Sequence, residues 1–259
     1  MDPATLIGVV VAFGAIFVAN LLEGGSPTAM FLLPPMLLVF GGTIGVGIAG
    51  GLLRDATGSV AAMKHAFTAK RPAQDESVGI LVSLAEQARR NGLLALEEQA
   101  RGLDDPFLKE GVELLVDGTD PHELRDILEA KVYAKRSADR ASAKFFGDMG
   151  GYAPTIGIIG TVLSLVHVLE NLNSPEELGH LIGAAFLATL WGVMSANVIF
   201  LPLSTKLKRI SELEVRQMNL LIEGLMSIQA GSNPRVIEQK LRAFLPPQAP
   251  KADDEKQAA

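Results

Sequence analysis

Four long segments without a charged side chain alternate with charged segments along the chain. They contain 20, 30, 21 and 28 residues, at positions 3–22, 24–53, 149–169 and 178–205. A helix needs about 20 mainly apolar residues to cross a hydrocarbon layer of about 30 Å, and each segment meets that requirement. We therefore predict four transmembrane helices, at about residues 5–21, 29–50, 150–169 and 180–203.

The basic residues predict the orientation of these spans. All 23 Lys and Arg residues lie within residues 54–144 and 206–256. The short segments that follow the first and third spans contain none of them. Because Lys and Arg near span ends favour the cytoplasmic side, we expect both termini in the cytoplasm and two small outer loops.

The charged segments have helical features and no strand-like alternation. Apolar residues recur near helical spacing in residues 77–88, and Asn91-Gly92 interrupts that pattern. Asp120-Pro121 is typical of an N-cap followed by the first residue of a helix, and we expect this helix to run on towards the third span. The fold class that we predict is all-α: a polytopic membrane protein with a helical cytoplasmic domain.

This pattern divides the chain into five predicted segments. Residues 1–53 contain the first two spans, residues 54–148 form a cytoplasmic helical loop domain, and residues 149–204 contain the other two spans. Residues 205–245 form a further cytoplasmic helical segment, which includes a helix over residues 207–229. Residues 246–259 are rich in Pro, Ala and charged residues, which favours a disordered tail.

The composition excludes several classes of function. The mean hydropathy is +0.29 and the hydrophobic fraction is 48%, values that fit a membrane protein with a sizeable polar part. The net charge of -6 provides no basic face for nucleic acid. The chain contains no Cys and no motif of a metalloprotease, a nucleotide-binding loop or a serine hydrolase. We therefore expect neither an enzyme nor a cofactor or metal site.

The spans contain hydroxyl groups and prolines, but no Asp, Glu, Lys or Arg near mid-depth. Ion relays through lipid commonly use such a charged group, so a proton carrier would have to come from a second chain. A proline in a helix frees a carbonyl one turn earlier, which a neighbouring hydroxyl or water can satisfy. The residues that suit the lining of a narrow wet route are Pro154, Thr155, Thr161, Thr189 and Pro202.

Three sequence motifs, in order along the chain, resemble those of the flagellar stator subunit family that includes MotA and PomA. The first is ARRNGLLALEE at residues 88–98, and the second is YAPTIGIIGT at residues 152–161. The third is ATLWG at residues 188–192, followed by ANVIFLP at residues 196–202. The resemblance extends to about residue 245 and includes the two-plus-two order of the spans.

The resemblance implies a homopentamer in the bacterial inner membrane that surrounds the single spans of two MotB chains. It implies a stator that couples proton flow to torque on the rotor and so drives flagellar rotation. The membrane aspartate of MotB binds the ion in this family. Two functional prolines and two hydroxyls of the ion route match Pro154, Pro202, Thr161 and Thr189. The charged residues that engage the rotor protein FliG match Arg89, Arg90, Glu97 and Glu98.

The third motif departs from the family pattern at two positions. Trp191 stands where many relatives have Tyr, and Ala188 precedes Thr189 where sodium-type relatives tend to have two adjacent threonines. The loss of one oxygen ligand favours a proton as the translocated ion, with sodium as the alternative.

Two other functions remain open at this point. An ExbB or TolQ energiser also surrounds the spans of a partner, although such proteins usually have three spans and a different loop order. A self-contained small-molecule transporter would have its substrate site within one chain, often between internal repeats. We find no convincing repeat and no buried charge in the sequence for such a site.

Overall fold

The computed structural model describes residues 4–69 and 72–245, and within them it contains helices and no strand. The predicted all-α fold is confirmed. The predicted disordered tail at residues 246–259 lies outside the described residues. The longer helices are α1 (Ala4–Leu22), α2 (Leu33–Ala49), α3 (Leu53–Thr68), α4 (Gln74–Asn91), α5 (Leu96–Arg101), α6 (Pro106–Val116), α7 (Pro121–Glu170), α8 (Pro175–Gln229) and α9 (Pro234–Arg242).

The chain forms two compact units. The first unit contains the described residues up to 69 and residues 137–211, and the second contains residues 72–136 and 212–245. Helices α7 and α8 each contribute residues to both units.

The first unit contains the apolar helices. Among the described residues, α1, α7 and α8 are long and apolar enough to cross a membrane by length and composition. Helix α2 is a shorter apolar helix. None of the residues of α1 is buried within the chain. The number of four spans stays a prediction.

Helix α2 begins later than the second predicted span. A short 3-10 helix at Pro27–Met30 comes first, and Leu32 has an extended backbone with a ψ of 124°. Pro34 and Pro35 occupy the first turn of α2, where their missing amides cost least. A helix that continued through them would lose two backbone hydrogen bonds, so the helix begins at Leu33 and not at residue 29.

Helices α7 and α8 are longer than the predicted spans. The helix that begins after Asp120 continues for 50 residues, with Pro154 inside it, and thus confirms the predicted extension towards the third span. The helix predicted at residues 207–229 is not separate, because α8 continues without a break through Pro202. The wide π-helical turn Ser195–Phe200 ends two residues before this proline, and such a turn can accommodate the ring without ending the helix.

The second unit packs around a core of leucines. Its fully buried side chains include Leu81, Leu96, Leu124, Leu225 and Leu241. Three of its helices begin with an N-cap residue, Asp or Asn, that is followed by proline at the first helical position. The Oδ1 atom of Asp105 accepts from the amide of Phe107 at 2.8 Å, and Asp120 and Asn233 have the same role at α7 and α9. The predicted N-cap at Asp120 is confirmed.

Glu223 joins three helices of the second unit. Its Oε2 accepts from the Lys240 ammonium group at 2.8 Å, and its Oε1 accepts from the Arg125 guanidinium group at 3.1 Å. The hydrogen bond from Lys240 lowers the pKa of the Glu223 carboxyl group against the opposing effect of burial, and Arg125 lowers it further. The ionised carboxylate therefore stabilises the folded unit.

We expect the Glu223→Gln substitution to destabilise the protein by roughly 1–2 kcal/mol at neutral pH, because a charge-assisted hydrogen-bond network is lost. The folded-state pKa of Glu223 is lowered. Its contribution is therefore complete above the unfolded-state pKa and is lost as the pH falls through the folded-state pKa. Thermal unfolding of the purified protein in detergent should show a difference between wild type and variant at pH 7 that disappears in acid.

The matched control is Glu238→Gln, which removes an exposed pair with Arg242 one helical turn away. Exposed pairs of this kind contribute little, so its melting temperature should stay close to that of the wild type. Equal stability of the Glu223 and Glu238 variants at pH 7 would contradict the assignment.

Candidate functional site

Helices α7 and α8 of the first unit are in backbone contact at two glycines. A methyl group at Gly157 would lie 2.8 Å from the carbonyl oxygen of Ala188 and 3.2 Å from the Cα of Gly192. A methyl group at Gly192 would lie 2.7 Å from the carbonyl oxygen of Ala153. Any larger side chain would therefore push the two helices apart at this crossing.

The glycine crossing brings the hydroxyl groups of Thr161 and Thr189 together. Their Oγ1 atoms lie 2.5 Å apart, and both side chains are half-buried. The Thr161 Oγ1 atom also lies 2.9 Å from the carbonyl oxygen of Ala185 and 3.2 Å from that of Gly157. These contacts form a small polar site between two apolar helices.

The threonine pair has two hydrogen-bond arrangements, because each hydroxyl group has one proton. In one arrangement Thr189 donates to Thr161, which donates to a backbone carbonyl oxygen. In the other arrangement Thr161 donates to Thr189. The first leaves both acceptor positions of the Thr189 hydroxyl group for a water molecule or another donor. The pair can thus pass hydrogen bonds along a route while it stays neutral.

The two predicted prolines lie in neighbouring turns of α7 and α8. Pro154 leaves the carbonyl group of Gly150, one turn earlier, without its usual helical donor. A methyl group at Gly150 would lie 2.6 Å from the side chain of Leu201, the residue that precedes Pro202. Each helix therefore has a turn with irregular backbone hydrogen bonding, at Pro154 in α7 and at Ser195–Phe200 in α8, and Gly150 and Leu201 are in contact beside these turns.

Thr155 and Pro202 do not join the threonine pair. The exposed Thr155 hydroxyl group donates to the carbonyl oxygen of Tyr152 at 2.7 Å, within its own helix. Pro202 lies with Asn197 in a groove of about 730 Å³ between α1 and α8. That Thr155 and Pro202 line the same ion route as Thr161 and Thr189 stays a prediction.

Sequence reasoning missed two buried hydrogen bonds between helices of the first unit. The Trp191 indole Nε1 donates to the carbonyl oxygen of Met30 at 2.7 Å, and its ring centroid lies 5.5 Å from that of Phe31. The Ser204 hydroxyl group donates to the carbonyl oxygen of Ala143 at 2.7 Å. The only signal for the first bond was the indole N–H itself, which needs an acceptor when it is buried.

The four charged residues of the first motif are exposed on α4 and α5 of the second unit. Gly92, with a φ of +83°, ends α4, so Arg89 and Glu97 do not lie on one continuous helix. The eight-residue spacing of these two residues therefore does not put them on a common face. The rotor contact that the resemblance implies stays a prediction.

The charged residues of this motif differ in their partners. Arg90 is 4.0 Å from Glu86, and Glu97 is 3.1 Å from Arg101, in pairs one helical turn apart. Arg89 and Glu98 form no ion pair with any residue in the described part of the chain. Arg89 and Glu98 are thus the members of the motif whose charges are not neutralised by another residue that the structure describes.

Comparisons with known proteins assign the class of the protein. A family model described as the MotA/TolQ/ExbB proton channel family matches residues 99–220. Motility protein A of Bacillus subtilis (strain 168) is 37% identical over 247 residues, which cover 95% of this chain and 92% of that protein. The chain therefore belongs to the MotA/TolQ/ExbB proton channel family, which is a family of ion channels and not of enzymes.

Two solved structures are similar to almost the whole chain. The structure of C. jejuni MotAB matches with a TM-score of 0.91 at 30% identity and covers 96% of this chain and 98% of that one. The flagellar MotAB stator complex from Bacillus subtilis matches with a TM-score of 0.88 at 36% identity and covers 100% of both chains. These similarities confirm the resemblance to flagellar stator subunits and favour that function over an ExbB/TolQ energiser or a small-molecule transporter.

We expect Gly157→Ala to disrupt the crossing of α7 and α8, because the added methyl group meets a backbone oxygen that no rotamer change can move away. Overpacking of this kind costs about 1–3 kcal/mol. Thermal unfolding in detergent should show a lower melting temperature than that of the wild type, and cells that carry the variant should lose the ability to swim.

The matched control is Gly151→Ala on the same helix, where a methyl group meets nothing within 4 Å. Replacement of a helical glycine by alanine adds up to about 1 kcal/mol of helix stability, so this variant should be as stable as the wild type or more stable. If the two alanine variants behaved alike, the crossing at Gly157 would not determine the packing.

Proposed function

We propose that this flagellar stator subunit forms a ring of five copies in the bacterial inner membrane and surrounds the spans of two MotB-like chains. Proton flow along the interface between the ring and these spans produces torque on the rotor protein FliG. The observation that carries this proposal is the Thr161–Thr189 hydroxyl pair between two apolar helices. The two similar solved structures are both of MotAB complexes, which supports a MotB-like partner.

The partner supplies the charged group of the ion route in this proposal. Residues 149–169 and 178–205 contain no Asp, Glu, Lys or Arg. Threonine hydroxyl groups donate and accept hydrogen bonds but remain neutral, so they cannot hold the translocated charge. A carboxylate on the partner's span can hold a proton, and its protonation removes a charge from a medium of low dielectric constant.

Protonation of the partner's carboxylate changes how its helix packs against this chain. A charged carboxylate requires water or hydrogen-bond donors, whereas a neutral carboxyl group tolerates an apolar neighbour. We propose that the altered contacts are those with Pro154, Thr161 and Thr189. Helices α7 and α8 then carry the resulting movement, since both continue from the spans into the second unit.

The proposed topology has four spans and both termini in the cytoplasm. Helix α2 contains 17 residues and is about 26 Å long at 1.5 Å per residue, which lies at the lower limit for a span. The first basic residue after it is Arg54. The exposed apolar surface of α1 fits contact with lipid or with another copy of the chain.

We propose the proton as the coupling ion. A dehydrated cation such as sodium needs a shell of several oxygen ligands. Ala188 contributes no side-chain oxygen beside Thr189, and the Thr161 hydroxyl group is already bonded to Thr189 and to backbone carbonyl groups. A hydrogen-bonded chain of hydroxyl groups and water suits a proton, because each hydroxyl group both donates and accepts.

Removal of either hydroxyl group should slow the motor without unfolding the protein. Valine has nearly the shape of threonine, so Thr161→Val and Thr189→Val preserve the packing while they break the hydrogen-bond chain between α7 and α8. The measurement is the rotation speed of single motors in a sodium-free medium. We expect wild-type motors to rotate and the motors of both valine variants to rotate at least several-fold more slowly.

Thr161→Ser, which keeps the hydroxyl group, is the matched control and should retain most of the speed. Wild-type rotation that stops without sodium would contradict the proton assignment. Full speed in both valine variants would contradict the role of the hydroxyl pair.

The proposed rotor contact lies on the segment that contains Arg89 and Glu98. Both side chains are exposed and have no ionic partner among the described residues, whereas Arg90 and Glu97 have partners on their own helices. Opposite charges on a partner would steer its approach and fix its orientation. Exposed pairs are individually weak and are screened by salt, which suits a contact that is made and released at every step.

We expect the reversals Arg89→Glu and Glu98→Lys to reduce swimming strongly at normal protein levels, because each places like charges at the contact. The reversals of Arg90 and Glu97 should have smaller effects, since part of their charge is already compensated within the chain. Soft-agar swarming and immunoblotting of membranes would measure motility and protein level.

Arg235→Glu is the control for a general effect of charge reversal. Arg235 is exposed in the first turn of α9, where an acidic side chain is favourable for the helix dipole. Undiminished swarming in the Arg89 and Glu98 variants, at normal protein levels, would contradict their rotor role.

A further inference from the structure

Leu94 is an apolar side chain that the fold holds out into solvent. It is 76% exposed, although it lies in the short 3-10 helix Leu93–Ala95 of the second unit. Its neighbours fix this position, because Leu93 packs against the leucine core and Leu96 is completely buried. The exposure of Leu94 is therefore a fixed property of this turn.

Leu94 lies on one helical face with charged residues of the proposed rotor contact. The chain is helical from Leu93 to the end of α5, so residues three, four and seven positions after Leu94 follow it along one face. These residues are Glu97, Glu98 and Arg101, and all three are exposed. The basic pair Arg89 and Arg90 precedes the turn at Gly92, so Leu94 lies between basic and acidic residues in the sequence.

We propose that Leu94 is the apolar centre of the rotor contact and inserts into an apolar pocket on the rotor protein. This inference rests on the proposed function and adds to it an apolar residue that contributes to the affinity. The rotor surface that fits has an acidic group for Arg89 and a basic group for Glu98 on opposite sides of the pocket. Such an arrangement matches the common anatomy of interfaces, with a desolvated apolar centre and a polar rim.

The charges around Leu94 favour a protein partner over a lipid surface. A membrane-binding surface combines apolar side chains with an excess of Lys and Arg, because the inner leaflet is anionic. The face that contains Leu94 has two acidic residues and one basic residue, Glu97, Glu98 and Arg101. A surface of mixed sign with unpaired members instead fits a partner that has complementary charges.

Tyr133 provides an internal comparison within the same unit. Its side chain is also 76% exposed, on α7. Tyr133 therefore matches Leu94 in exposed apolar area and lies far from Arg89 and Glu98 in the sequence, which makes it the control for exposed apolar area alone.

The test compares Leu94→Ser with Tyr133→Ser in the purified stator complex, formed from this chain and its MotB-like partner. Binding to purified FliG is measured at low and at moderate salt, and single-motor torque is measured in cells.

We expect Leu94→Ser to weaken binding about tenfold, because the apolar burial of one leucine is lost. This loss should persist at moderate salt, where the effects of the Arg89 and Glu98 reversals shrink. Tyr133→Ser should bind like the wild type, and Leu94→Met should retain binding within about twofold.

The outcomes separate the inference from the function on which it rests. If Leu94→Ser binds FliG like the wild type while the Arg89 and Glu98 reversals do not bind, the inference fails and the rotor contact stands. If the wild-type complex shows no binding at either salt concentration, the rotor contact itself fails. Native mass spectrometry measures whether the Leu94→Ser variant still forms the intact stator complex. If it does not, Leu94 lies between copies of the chain, and the inference fails.

Discussion

The contact between the backbones of α7 and α8 at Gly157 and Gly192 is the constraint on which the rest of the first unit depends. Lipid provides no hydrophobic driving force between helices, so close packing and hydrogen bonds must hold them together. The absence of two Cβ atoms allows the Cα atom of each glycine to approach the other helix. Thr161 lies four residues after Gly157 in α7, and Thr189 lies three residues before Gly192 in α8. The close approach of the helices therefore places these two threonines within hydrogen-bond distance.

The same closeness explains why both helices tolerate irregular turns. Pro154 removes a hydrogen bond from α7, and α8 contains a π-helical turn at Ser195–Phe200 before Pro202. In an apolar medium a freed carbonyl group is costly unless a neighbouring helix, a hydroxyl group or water satisfies it. Leu201 packs directly against Gly150 between these two turns. At Gly150 the backbone freed by Pro154 therefore lies against α8.

The parts of the fold that depend on local chemistry were predictable from the sequence. Lengths of chain without charge indicated the apolar helices, and Asp120-Pro121 defined the start of α7 because capping depends on adjacent residues alone. The start of α2 and the continuity of α8 were not predicted correctly. Both depend on how a proline affects the surrounding turns, and the sequence shows the proline but not the neighbouring backbone that accommodates it.

The candidate site was predictable as a set of residue types but not as an arrangement. The residue types alone suggested Thr155, Thr161 and Thr189 alike, the family resemblance singled out the last two, and the structure joins only those two. The difference arises from the crossing point of two helices, which periodicity within one helix does not specify. The bond from Trp191 to Met30 was missed for a related reason, since its acceptor is a backbone group 161 residues away.

The polar chemistry of the chain is divided between its two units according to what each medium permits. In the apolar helical segments of the first unit, buried ions would be expensive, and neutral hydroxyl groups provide polarity without a charge that would need a permanent partner. In the second unit, the partly exposed charged network at Glu223 is saturated by Lys240 and Arg125 and serves stability. Exposed charges such as Arg89 and Glu98 remain unsaturated among the described residues, and water makes this arrangement inexpensive. A reversible contact requires exposed charges of this kind. Charges that are already paired within the chain would have to break those ion pairs before they could bind a partner protein.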